Sequence, residues 1–103
     1  MTPLEKEIET ALRHMVARHD GVCLKWVCPG WAGVPDRIIL LPGGRIIFAE
    51  IKRPKGGRAD PRQKWWRDKL ESLGFEHHFV RCMRDVLDLG RSIMANEREG
   101  HDT

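Results

Sequence analysis

What this chain lacks narrows its function before any motif is read. No apolar run approaches the roughly 18 residues needed to cross a bilayer, and no basic-then-apolar leader opens the sequence. Neither membrane insertion nor secretion is expected, and a cytoplasmic setting is. Cysteine is scarce: Cys23, Cys28 and Cys82 make an odd number, with no C-x-x-C pair and no partner cluster at zinc spacing. That excludes a disulfide framework and leaves reduced, structural thiols. The five histidines (His14, His19, His77, His78, His101) are scattered without a metal-binding pattern. Repeats, linkers and low-complexity stretches are missing too. At 103 residues the chain is expected to form a single domain over residues 1–95, followed by a polar C-terminal tail over 96–103 that frays.

What is present suits a globular fold: 41% hydrophobic and 32% charged residues. The net charge of +3 is a weak hint of a polyanionic partner, but its distribution is more informative. From Lys52 to Lys69 there are eight basic residues against two acidic ones.

Apolar residues Leu4, Ile8, Ala11, Leu12, Met15 and Val16 recur at three- and four-residue intervals, which predicts a helix over residues 3–19 with Thr2 as its cap. A strand follows over 22–27, then a punctuating loop over 28–35. Two β-branched runs, 37–41 and 45–51, flank Pro42-Gly43-Gly44 and predict a hairpin. Asp60-Pro61 reads as an N-cap and first position of a helix ending at Gly74. A strand over 75–82 and a helix over 85–95 complete the order α-β-β-β-α-β-α, an α/β domain with a mixed sheet flanked by helices.

The hairpin carries a geometric consequence. With the turn centred on Gly43, Asp36 lies opposite Glu50, Ile38 opposite Phe48 and Leu40 opposite Ile46. Directly opposite residues project to one face, about 4.5–5.5 Å apart at Cβ. Strand alternation returns Lys52 to that face. Two carboxylates and an amine therefore converge at the open end of the hairpin. Like charges set opposite each other are unfavourable, and a divalent cation such as Mg²⁺ would relieve them, leaving positions for water and phosphate oxygens. Lys52 could orient or deprotonate an attacking water, or stabilise developing charge. The plainer alternative makes Glu50 and Lys52 solvated residues at a strand end and Asp36 the cap of a turn.

Pro35-Asp36, thirteen intervening residues, then Glu50-Ile51-Lys52 resembles the PD-(D/E)xK nuclease signature. The surrounding runs Gly33-Val34-Pro35-Asp36-Arg37-Ile38, Leu41-Pro42-Gly43-Gly44-Arg45 and Glu50-Ile51-Lys52-Arg53-Pro54, with Gln63 in the next helix, resemble the VRR-NUC family. The short stand-alone members of bacteria and phages are the most similar. The resemblance implies a restriction-endonuclease-like core and an Mg²⁺- or Mn²⁺-dependent endodeoxyribonuclease. It further implies action on branched DNA such as Holliday junctions as a homodimer, in a bacterial cell or a phage-infected host. It also implies roles: Asp36, Glu50 and the Ile51 carbonyl as metal ligands, Lys52 as the catalytic lysine, and Gln63 to orient the site. A glutamate of the first helix joins the metal; Glu9 fits the pattern best, with Glu5 one turn earlier left open.

DNA contacts are expected from Lys25, Arg37, Arg53, Lys55, Arg58, Arg62 and Lys64 through phosphates, and from Trp31 through base stacking. Trp31 packed beneath its loop is an equal alternative. Trp26 is expected in the core, together with one of Trp65 and Trp66. Either His77 or His78 faces inward, in a structural rather than a general-base role. Two other functions remain open: a nuclease of flaps or duplex ends, and a non-catalytic nucleic-acid-binding module.

Overall fold

The computed structural model describes residues 3–52 and 60–101. Thr2, expected as a helix cap, and Arg53, Lys55 and Arg58, expected as phosphate contacts, lie outside the described residues. The elements run α1 (Pro3–Arg18), β1 (Val22–Lys25), β2 (Arg37–Leu41), a 3₁₀ turn (Pro42–Gly44), β3 (Arg45–Ile51), α2 (Pro61–Ser72), β4 (Glu76–Val80) and α3 (Met83–His101). They form one four-stranded sheet in the order β1-β2-β3-β4. The first three strands are antiparallel, and β4 joins β3 in parallel after the crossover through α2.

Alternation along the strands divides the sheet between two layers. Ile39 and Leu41 of β2, Ile47, Ala49 and Ile51 of β3 and Val80 of β4 face α1 and α3. There they meet Ile8, Leu12, Met15 and Val16 of α1 and Val86, Leu89 and Ile93 of α3. Intervening residues face the α2 side, where Phe48 packs against Trp26 and Phe75 at ring separations of 5.3 and 5.6 Å. The amphipathic spacing of α1 thus serves the larger core, while the crossover helix α2 covers the second face with Leu70 as its buried apolar side chain.

The hairpin register is the expected one: Ile38 pairs with Phe48 and Leu40 with Ile46. Other expectations shift. Strand β1 stops at Lys25, although the Trp26 N–H still donates to the Asp36 carbonyl at 2.8 Å. Trp26 is half-buried, and neither Trp65 nor Trp66 belongs to the main core, because α2 sits on the other face of the sheet. The last helix begins at Met83, with the Asp85 carboxylate accepting from the Arg81 N–H at 2.8 Å. It continues to His101, through residues expected to fray. The stretch after Ala95 has no apolar anchor, but Glu97 reaches His19 at the end of α1 at 3.1 Å, a tertiary contact that helical periodicity does not reveal.

Candidate active site

Arg37 pairs with Ala49, so the next opposed pair is Asp36 and Glu50 at the mouth of the hairpin. The two are stitched together through the backbone. The Asp36 N–H donates to Glu50 Oε2 at 2.9 Å, and the Ile51 N–H donates to Asp36 Oδ1 at 3.3 Å. Pro35 is fully buried just before Asp36 and anchors the entering chain. Glu50 is only 7% exposed.

Helix α2 supplies the fourth group through its own cap. Asp60 and Gln63 form a capping box: the Asp60 side chain accepts from the Arg62 N–H at 2.8 Å, and Gln63 Oε1 accepts from the Asp60 N–H at 3.1 Å. The amide so held spans the site. Gln63 Nε2 donates to Glu50 Oε1 at 2.6 Å, while Gln63 Oε1 also accepts from Lys52 Nζ. Gln63 therefore fixes the lysine and a carboxylate relative to each other.

This arrangement is electrostatically expensive. Burial, followed by the neighbouring Asp36 charge, pushes Glu50 up to about 7. Burial also raises Asp36, against the lowering effect of its bond from the Ile51 N–H. A cation between the carboxylates would relieve both. Asp36 Oδ2 makes none of the bonds described, and the oxygens of Glu50 retain lone pairs. Among the described residues no group of three or more His, Cys, Asp or Glu side chains forms a metal cage. Two carboxylates without a cage fit Mg²⁺ or Mn²⁺, which bind protein through one or two carboxylates and keep water or phosphate in the remaining positions.

Glu9 lies at the rim. Its carboxylate is 2.8 Å from Arg37 Nη2, and its charge contributes to the rise at Asp36. Glu5 sits one helical turn earlier and is partly exposed. Arg37 is a correction to the expected phosphate contacts: it is 7% exposed and directed to α1, because strand alternation sends it to the face opposite Asp36. Lys25 pairs with Arg37 and shares that face, so it does not approach the carboxylates from the side of Asp36. Arg62 and Lys64 are exposed at the start of α2.

Trp31 is 61% exposed and meets Trp66 edge-on with ring centroids 6.0 Å apart. His77 is the inward member of its pair, packed on Phe79, with burial lowering it to about 4. Half-exposed His78 lies 3.5 Å from Glu76.

Sequence reasoning missed how the site loop is held. The Trp66 Nε1–H donates to the Ala32 carbonyl at 3.1 Å. Gly33, at φ +87°, lies so close to α2 that an added Cβ would stand 2.6 Å from Arg62 Cβ and 2.7 Å from its carbonyl carbon. The Gly-rich loop is a visible signal for such an approach; its docking partner is not. Also missed was Arg81, which with Arg67 flanks the Phe79 ring at 5.5 and 5.8 Å, beside the strand position paired with Glu50.

No family model matches the chain. It is 42% identical over 72 residues to a protein named "Putative nuclease p44" from Acyrthosiphon pisum secondary endosymbiont phage 1, covering 70% of this chain and 76% of that one. A solved structure described as "VRR_NUC domain" has a TM-score of 0.79 at 24% identity, covering 85% of this chain and 95% of the other. The expected fold, a mixed four-stranded sheet with three flanking helices, is the fold of that domain.

Proposed function

The chain belongs to the VRR-NUC family, and on that premise we propose that it is a metal-dependent DNA endonuclease. Its substrate is branched DNA such as a four-way junction, and it acts as a homodimer. The observation that carries the reading is the opposed, buried Asp36 and Glu50 pair, tied to Lys52 through Gln63. Such a pair weakens a fold unless a cation and a charged substrate complete it.

Asp36, Glu50 and the Ile51 carbonyl would hold Mg²⁺ or Mn²⁺, which supplies positive charge against a phosphate and lowers the pKa of water. The chain's own groups do the rest. Lys52, held by Gln63, orients the attacking water and either accepts its proton or stabilises charge on the phosphate. Glu9 steadies the site's edge through Arg37, and it, ahead of Glu5, would be the helix carboxylate to join the ion. Arg62 and Lys64, with Arg53, Lys55 and Arg58 outside the described residues, supply sequence-independent phosphate contacts.

The catalytic domain spans residues 1–95. Two copies about a two-fold axis would direct two sites to two strands. The setting is the cytoplasm of a bacterial or phage-infected cell; no described helix is long and apolar enough to cross a membrane.

The test is cleavage of a labelled four-way junction beside matched duplex and flap substrates, with Mg²⁺, Mn²⁺ or EDTA, using wild type and Lys52→Ala. Paired metal-dependent cuts in the junction, absent in the variant, support the whole proposal. Cutting of flaps or duplex ends alone keeps the site and removes the junction role. Tight binding without cleavage would make the chain a non-catalytic binding module.

A further inference from the structure

We propose that Trp31 and Trp65, joined through Trp66, form a stacking wall for unpaired nucleobases, so that the substrate is gripped where its bases have left the duplex stack. This rests on the nuclease reading and specifies what that site recognises beyond phosphate.

The two outer indoles are unusually open for tryptophan, at 61% for Trp31 and 55% for Trp65. Each leaves more than half of its apolar surface in water, available to a ligand that covers it. They are nevertheless held in one array. Trp31 meets Trp66 at 6.0 Å and 80°, and Trp65 meets Trp66 at 5.1 Å and 86°. Trp66 is pinned by its hydrogen bond to the Ala32 carbonyl, and the loop carrying Trp31 is pressed onto α2 at Gly33. A pre-ordered aromatic surface loses little entropy when a ligand settles on it.

Position and charge identify that ligand. Trp31 lies five residues before Asp36, and Trp66 follows Gln63 by three residues, about one turn of α2, with Trp65 beside it. The array therefore spans the loop that leads to Asp36 and the helix that carries Gln63. Arg62, its side chain 66% exposed, sits where the loop touches the helix, and exposed Lys64 adjoins Trp65. An apolar ring array set in cationic surroundings matches a polyanion with flat apolar faces. In a duplex those faces are stacked away and only base edges show in the grooves; in a single-stranded arm they are free.

The deciding experiment measures binding in EDTA by fluorescence anisotropy to three probes. These are a closed duplex, the same duplex with a single-stranded arm, and that duplex with an abasic arm that keeps the phosphates but lacks the bases. Wild type is expected to prefer the base-bearing arm over the abasic one. Trp31→Ala and Trp65→Ala should each weaken that binding about 5- to 150-fold, the range for one base–aromatic stack, with duplex and abasic binding unchanged. Equal loss on all three probes, or no loss, overturns the wall. So does a change in sedimentation mass in either variant, which would make the indoles a contact between copies. Parallel cleavage assays with Mg²⁺ separate the two readings. Wild-type cleavage with unaltered arm binding by both variants removes only the wall. Base-dependent binding lost in the variants, without cleavage by wild type in any metal, keeps the wall and removes the nuclease.

Discussion

If Asp36 and Glu50 are a pair built for a cation, removing one charge should stabilise the metal-free protein. Asp36→Asn keeps an oxygen to accept from the Ile51 N–H while deleting the repulsion. The displacement of Glu50 from 4.5 to about 7 corresponds to about 3 kcal/mol at about 1.4 kcal/mol per pH unit. Burial is the first cause and the Asp36 charge the second, and like charges directly opposite on a sheet cost up to about 1 kcal/mol. Relief of the buried charge on Asp36 itself adds in the same direction. In EDTA at pH 8 the variant should therefore unfold about 4–8 °C higher, the shift about 1 kcal/mol produces in a domain of this size.

The sign with pH follows from the raised folded value of Glu50. Its ionised form penalises the fold on the alkaline side, and the penalty is relieved as pH falls from about 7 toward 4.5, where the folded state takes up the proton first. The advantage of Asp36→Asn should shrink toward pH 5. Mg²⁺ should raise the melting temperature of wild type much more than that of the variant. Paired urea and thermal unfolding curves at pH 8 and pH 5 provide the measurement. A variant no more stable than wild type at pH 8, or a gain independent of pH, would refute the reasoning.

Three other outcomes are expected. Lys52→Ala should lower single-turnover cleavage by about 10²–10⁴-fold while leaving circular dichroism and DNA affinity close to wild type; a tenfold or smaller loss would deny Lys52 its role at the water. Gly33→Ala combines a left-handed backbone with a 2.6 Å clash against Arg62, and should cost at least about 1–3 kcal/mol in urea unfolding; near-neutrality would mean that the loop does not pack on α2 as described. His77, lowered to about 4 by burial and then by His78 and Arg67, is held neutral by the fold. Its contribution is intact above pH 6.5 and is lost as pH falls toward 4. The stability of His77→Leu relative to wild type should thus rise on acidification, by at most about 1.4 kcal/mol per pH unit. A constant difference from pH 7 to pH 4 would show that His77 does not carry this titration.

The sequence by itself determined the elements with strong local rules and the chemistry tied to them. The stripe on α1, the Pro42-Gly43-Gly44 turn and the Asp60-Pro61 cap each act within a few residues, and all three elements are present. Because the hairpin's pairing follows from its turn, the facing of Asp36 and Glu50 was legible too, and alternation carried Lys52 with them. Gln63 was legible from family resemblance, but its double hold on Glu50 and Lys52 depends on where α2 lies over the sheet.

Only the tertiary structure decided which face each remaining side chain occupies. Alternation placed Arg37 opposite Asp36, and the packing of α1 then matched it with Glu9 across 28 residues of chain, turning an expected DNA contact into a buried ion pair. Trp66 found its partner in a loop 34 residues away, which left Trp31 and Trp65 outside the core that the tryptophan content alone would suggest. Glu97 likewise extends the last helix by reaching His19. Local periodicity and turn chemistry are carried by neighbours along the chain; the partners of buried charges and of large rings are set by which surfaces meet once the layers close.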